Sequence, residues 1–216
     1  KKSMQAPAMH GGMFGALSIA AFGLVAIQSL VYLPMTFSAH PIFVSAAVFV
    51  AAVQGIFSLL EANPDNRNAA RKLHRMWQIV SVIFMDIGVL AVIYHKWYIG
   101  KSLLPRTWHG YLGWVALSLY WLQTVVGIMK LNTFFVTGVK LYRWHGKVGH
   151  WAWCLSIVVL VMGVWIAMST ITTALCAAAG AALFFQASIN RGKTPTGWVP
   201  LQGPPSDNGS QMSLPS

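Results

Sequence analysis

An all-α integral membrane bundle of six transmembrane helices is the fold class this sequence predicts, and three observations predict it. Only 9% of the 216 residues are charged while 56% are hydrophobic, whereas soluble domains carry about 25% charged residues. Six apolar runs of membrane-crossing length follow one another along the chain. Lys and Arg are spread unevenly among the segments between them.

The first run, Phe14–Phe37, is too long for the apolar stretch of a signal peptide and reads as a retained helix. Ile42–Leu60, Trp77–Tyr94 and Tyr111–Met129 follow, and Trp151–Met168 and Ile171–Ile189 almost adjoin. Each is close to the ~20 residues with which an α-helix crosses ~30 Å of hydrocarbon. Residues 1–13 form a leading segment and 14–190 the six-helix domain. Residues 191–216 are a Pro-, Gly- and Ser-rich tail whose composition predicts disorder. Cys154 and Cys176 both fall inside apolar runs and read as small core residues, without disulfide or iron–sulfur spacing.

A net charge of +11 invites a nucleic-acid reading, but its placement argues against one. With six crossings, the termini and the loops near 61–76 and 130–147 share one side. Twelve of the fifteen cations lie there; Lys96, Lys101 and Arg106 lie opposite. The positive-inside rule then makes both termini cytosolic, and the expected location is an endomembrane or vesicle membrane.

Four histidines stand at the starts of the second to fifth runs: His40, His74, His109 and His145. Their separations are 34, 35 and 36 residues, one helix plus one connection each time. Consecutive helices reverse direction, so His40 and His109 approach one face and His74 and His145 the cytosolic face. Paired imidazoles on facing helices suit haem iron, and a filled axial pair favours electron transfer. "WHGYLG" at 108–113 and "WHGKVG" at 144–149 repeat one design, with Gly113 and Gly149 four residues after their histidines. A glycine on that face leaves room for a flat macrocycle. Pro41 is expected in a first helical turn, where it is tolerated. His10 reads as solvated. His150 lies five residues after His145, about 140° round a helix, and is its rival.

The ordered set "AHP" at 39–41, "RKLH" at 71–74, "YHKWYIGK" at 94–101, "WHGYLG" at 108–113 and "KLYRWHGKVG" at 140–149 resembles the cytochrome b561 family. That family comprises six-helix transmembrane reductases with two b-type haems, and the likeness is greatest to its short single-domain members. It extends over residues 14–187. The resemblance implies one haem between the second and fourth helices and one between the third and fifth, the same pairing. It implies ascorbate as cytosolic donor, reduction of monodehydroascorbate or a ferric iron chelate on the far side, and a homodimer.

Ascorbate is an anion, and a basic pocket beside a haem would concentrate it. Arg71, Lys72 and Arg75 surround His74, while Lys140, Arg143 and Lys147 surround His145. Topology alone also sets cations on this rim. The resemblance selects Lys72 and Lys140 as donor contacts, to which Tyr142 adds a hydrogen bond. On the far side His95 and Lys96 sit at the mouth above His40 and His109. The resemblance gives His95 an acceptor-side role, binding an anion or shuttling a proton; an interfacial snorkelling pair is the other reading. Asp86, the one acid well inside an apolar run, is expected to be protonated or hydrogen-bonded and packed against a neighbouring helix, with a proton relay as the lesser reading. A non-redox transporter or haem carrier is the competing function. Transporters interrupt helices near mid-bilayer, whereas these glycines cluster at the histidines.

Overall fold

The structure is a computed structural model that describes residues 12–62, 65–137 and 142–191. The leading segment up to residue 11 and the tail after 191 lie outside the described residues. Six helices are long and apolar enough to cross a membrane, and no strand occurs among the described residues. The chain is an integral, multi-pass membrane protein. The helices are α1 (Met13–Tyr32), α2 (Met35–Leu60), α3 (Arg67–Tyr98), α4 (Trp108–Thr137), α5 (His145–Ala167) and α6 (Thr170–Arg191).

The first apolar run does not form one helix. The chain turns extended at Leu33, and Pro34 opens α2, accepting from the backbone N–H groups of Phe37 and Ser38 at 2.8 and 2.9 Å. Continuous apolarity hid this break. His40 and Pro41 consequently lie inside α2 rather than at its start. Pro41 lacks the N–H that would bond to Phe37, so it interrupts the ladder instead of sitting harmlessly in a first turn.

Further on, α2 contains a π-helical turn over Ala46–Ala51. Such a turn loosens carbonyls from the regular i→i−4 pattern, and three neighbouring helices use them. Ser18 of α1 donates to the carbonyl of Phe49. Ser81 of α3 donates to that of Ala47 at 2.9 Å, and the Trp153 indole of α5 to that of Val48 at 3.2 Å. All these groups are buried, where a bond left unmade would be costly.

The other ends follow from local chemistry. Gly100, at φ +67, closes α3: its N–H bonds to Trp97 and that of Lys101 to Lys96, a Schellman motif that needs a left-handed residue. Ser169 caps α6 through its hydroxyl, which allows the abrupt turn from α5 that the sequence predicts. At 1.5 Å per residue, the 32 residues of α3 extend about 48 Å, so its Arg67 end projects past a ~30 Å hydrocarbon layer.

The helices pack in a ring in chain order, with α1 against α6, and α2 also reaches α5 and α6. Within the ring, α2, α3, α4 and α5 are neighbours in sequence, and α2 meets α5. The extensive contacts join neither α2 to α4 nor α3 to α5. These diagonals face one another across the bundle. The core between α1, α2, α5 and α6 is built on Phe49, Val53, Trp153, Leu160 and Leu183. Both cysteines are free; Cys176 is fully buried in that core.

Candidate functional site

Three of the four spaced histidines are oriented by a backbone carbonyl of the adjacent antiparallel helix. His40 on α2 donates from Nδ1 to Gly88 of α3 at 2.9 Å, and His74 on α3 donates back to Gly55 of α2 at 2.7 Å. His109 on α4 donates to Val159 of α5 at 3.0 Å. A carbonyl only accepts, so each Nδ1 carries the proton and each Nε2 keeps its lone pair. That tautomer is the one a metal-binding imidazole needs. The reciprocal bond from α5 is missing, because Nδ1 of His145 is buried without a hydrogen-bond partner.

Glycines admit the rings, though not those that the repeated motif suggests. A methyl group at Gly163 would lie 2.7 Å from Cε1 of His109, and one at Gly127 would lie 3.2 Å from Cε1 of His145. Both glycines belong to the facing helix. Gly113 instead abuts Val159, with 3.9 Å to spare, and Gly149 abuts the Gln123 side chain. Gly127 and Gly149 line the cavity described next, and Gly113 does not.

At one end the His40 and His109 rings stand 6.2 Å apart, centre to centre, at 85°. At the other end His74 and His145 line a single cavity of about 770 Å³. Its walls are mostly apolar, but Arg67, Arg71, Arg75, Lys130 and Arg143 also line it and no acid does. Arg71 rests its guanidinium 4.9 Å from the centre of the Phe134 ring, a cation–π contact. Gln123 forms part of the lining, with both side-chain amide atoms buried and without a hydrogen-bond partner.

Of the donor-side residues singled out from sequence, Arg71, Arg75 and Arg143 reach this cavity. Lys72 is exposed and off it, since one residue along a helix turns about 100°. Tyr142 is also off it, held at φ +52 with its ring edge-on to Trp144. Lys140 lies outside the described residues. Arg67 and Lys130 went unselected, yet helical spacing marks both: Arg67, Arg71 and Arg75 recur every four residues, and Lys130 follows Gly127 by three.

At the opposite end, Nδ1 of His95 lies 2.8 Å from the Thr36 hydroxyl. The Phe37 ring sits between His95 and His40, at 5.2 and 5.6 Å respectively. Lys96 donates to the carbonyl of Leu104 at 3.4 Å. His150, the rival of His145, turns toward α6: its Nε2 is 2.9 Å from the Ser188 hydroxyl, and its ring stacks on Phe184 at 4.4 Å.

Asp86 accepts from the Trp121 indole at 3.1 Å, joining α3 to α4 as expected of a carboxylate in an apolar run. An Asp86→Asn chain keeps that acceptor oxygen and should keep its visible spectrum and electron-transfer rate. Trp121→Phe should cost roughly 1 kcal/mol of stability, read from thermal unfolding in detergent. A collapsed transfer rate in Asp86→Asn would instead assign the carboxylate a proton-handling role.

Among the described residues no three His, Cys, Asp or Glu side chains converge as a chelating cage. The class the fold defines is a helical membrane protein with histidines set along a four-helix core. The family model for eukaryotic cytochrome b561 matches residues 39–167, well over half of the 216, and the chain belongs to that family of haem b-binding membrane oxidoreductases, which suggests transmembrane electron transfer. Comparisons with curated proteins and with solved structures gave no match.

Proposed function

We propose that the chain carries electrons from cytosolic ascorbate to monodehydroascorbate or a ferric iron chelate on the other side, using two haems b. His40 and His109 would hold the non-cytosolic haem, and His74 and His145 the cytosolic one. The observation that carries this reading is the His40–His109 separation. With metal–imidazole bonds of about 2.0–2.1 Å and ring centres about 1.1 Å behind each nitrogen, two axial rings stand about 6.3 Å apart. The 6.2 Å observed fits one iron between them, and the free Nε2 lone pairs fit the same role.

When bound, haem b supplies a one-electron iron couple. The rest is done by the chain. The Nδ1–carbonyl bonds fix three imidazoles in plane and tautomer. The bonds into the π-helical turn tie α1, α3 and α5 to α2, which resists rearrangement when charge moves. Five cations around the His74/His145 cavity attract an anionic donor. With both termini cytosolic, these cations face the cytosol, and the protein sits in an endomembrane or vesicle membrane. His95 and Lys96 then serve the acceptor at the other surface, with His95 beside Phe37 and within one ring of His40.

Haem quantified per chain tests the assignment. Wild type should bind two. His40→Ala or His109→Ala should each abolish one centre, His74→Ala or His145→Ala the other, and His150→Ala neither. A purified chain that stays colourless after porphyrin is supplied would overturn the proposal.

A further inference from the structure

We infer that Gln123 completes the His74/His145 site by accepting the Nδ1 hydrogen of His145, the part that backbone carbonyls play for the other three histidines. The inference rests on the haem reading above and assigns one more residue to it.

Three buried polar atoms at the α4–α5 interface lack partners: Nδ1 of His145 and both amide atoms of Gln123. Buried polar groups in folded proteins are nearly always satisfied, so three orphans in one cavity wall need a common explanation. Their placement supplies it. Gly127 of α4 lies against the His145 ring, and Gly149 of α5 lies against the Gln123 amide, whose Oε1 is 3.4 Å from a methyl built there. Gln123 precedes Gly127 by four residues, and His145 precedes Gly149 by four. Because α4 and α5 are antiparallel neighbours, the two pairs lie side by side and Gln123 is one helical turn from His145.

Rotation about the side-chain torsions of Gln123 spans that turn and brings Oε1 onto Nδ1. The ring turns its Cε1–Nε2 edge to Gly127, so Nδ1 points away from that stretch of α4 backbone and is left for a side chain to meet. His40, His74 and His109 already show the pattern being completed, an Nδ1–H directed at a carbonyl oxygen on the adjacent helix. The fourth partner is the one of the set that a point substitution can change.

Gln123 is a positioning residue, and its signature is electronic. A bond from Nδ1–H makes an imidazole a stronger donor to its metal and favours the oxidised ion. The test is a spectroelectrochemical titration of the haem-loaded chain, with low-temperature EPR of the oxidised protein, in wild type, Gln123→Leu and Gln123→Glu. Leucine should raise the reduction potential of one centre and glutamate should lower it. The other centre should not move. A carboxylate near the haem also lowers its potential by charge alone, so the bond itself is read from the EPR g-values of that centre, which should change in both variants. If leucine costs the haem, the glutamate variant decides: a lowered potential with altered EPR g-values at that centre supports the assignment, and unchanged g-values overturn it. Haem retained in Gln123→Leu with potential and EPR unchanged overturns the role of Gln123 alone. A wild-type chain without a bis-imidazole spectrum overturns the haem reading beneath it.

Discussion

A Gly163→Ala chain should retain about half of the wild-type haem, having lost the non-cytosolic centre and kept the other. The added methyl would lie 2.7 Å from Cε1 of His109, well inside van der Waals contact. A loosely held ring would swing aside at small cost. This one is tied by its Nδ1 to Val159 at 3.0 Å and, under the proposal, by its Nε2 to iron. Moving it breaks one or both ties, on top of an overpacking cost of about 1–3 kcal/mol. Gly127→Ala should act in the same sense on His145 but more mildly, since its methyl would lie at 3.2 Å. Gly23→Ala is the control, because that position opens onto nothing within 4 Å. Haem per chain, measured from reduced-minus-oxidised spectra of purified protein, checks all three. A Gly163→Ala chain that keeps both centres would mean that His109 binds its metal from elsewhere.

Reversing charge in the cytosolic cavity should have the second-largest effect. The double variant Arg71→Glu/Arg143→Glu is expected to raise KM for ascorbate by about tenfold or more, within the range of electrostatic focusing by charged clefts. The kcat at saturation should change much less, because neither side chain is proposed to hold iron. Added salt should slow wild type and should not slow the variant, since screening removes an attraction that the variant lacks. Reduction by an uncharged quinol should be nearly equal in both. Lys72→Glu separates two docking sites. Lys72 is exposed and away from the cavity, so its reversal should be mild if the donor enters between His74 and His145. An equally large KM rise would put the donor on the outer rim, as the family resemblance implies.

The placement of one histidine on each of four successive helices was legible in the sequence because it depends only on length: one helix and one connection per histidine alternates their ends whatever the packing. The abrupt α5–α6 junction likewise follows from the near-adjacent apolar runs. The glycines against which the imidazoles pack were hidden for the opposite reason. Gly113 and Gly149 share a helix with His109 and His145, and local spacing drew attention to them. The close approaches belong to Gly163 and Gly127, on other helices and separated from those histidines by 54 and 18 residues. No short-range pattern encodes such a neighbour. The break at Pro34 was hidden because apolar residues continue through it. Asp86 was foreseeable in kind, as a carboxylate needing a partner, while Trp121 as that partner depends on how α3 is rotated against α4.

The stretch "AAVFVA" over Ala46–Ala51 carries no compositional mark, yet it adjusts the phase of α2. A wide turn accommodates one residue more than a regular one, so the two halves of the helix are offset by about 100° from where an uninterrupted coil would set them. Deleting one residue there would restore an ordinary coil and rotate the His40 half by that angle relative to the Gly55 half. His40 would then face lipid or a wrong neighbour while Gly55 still met His74. Alignment of the two membrane faces thus hangs on a single surplus residue in the middle of the bilayer.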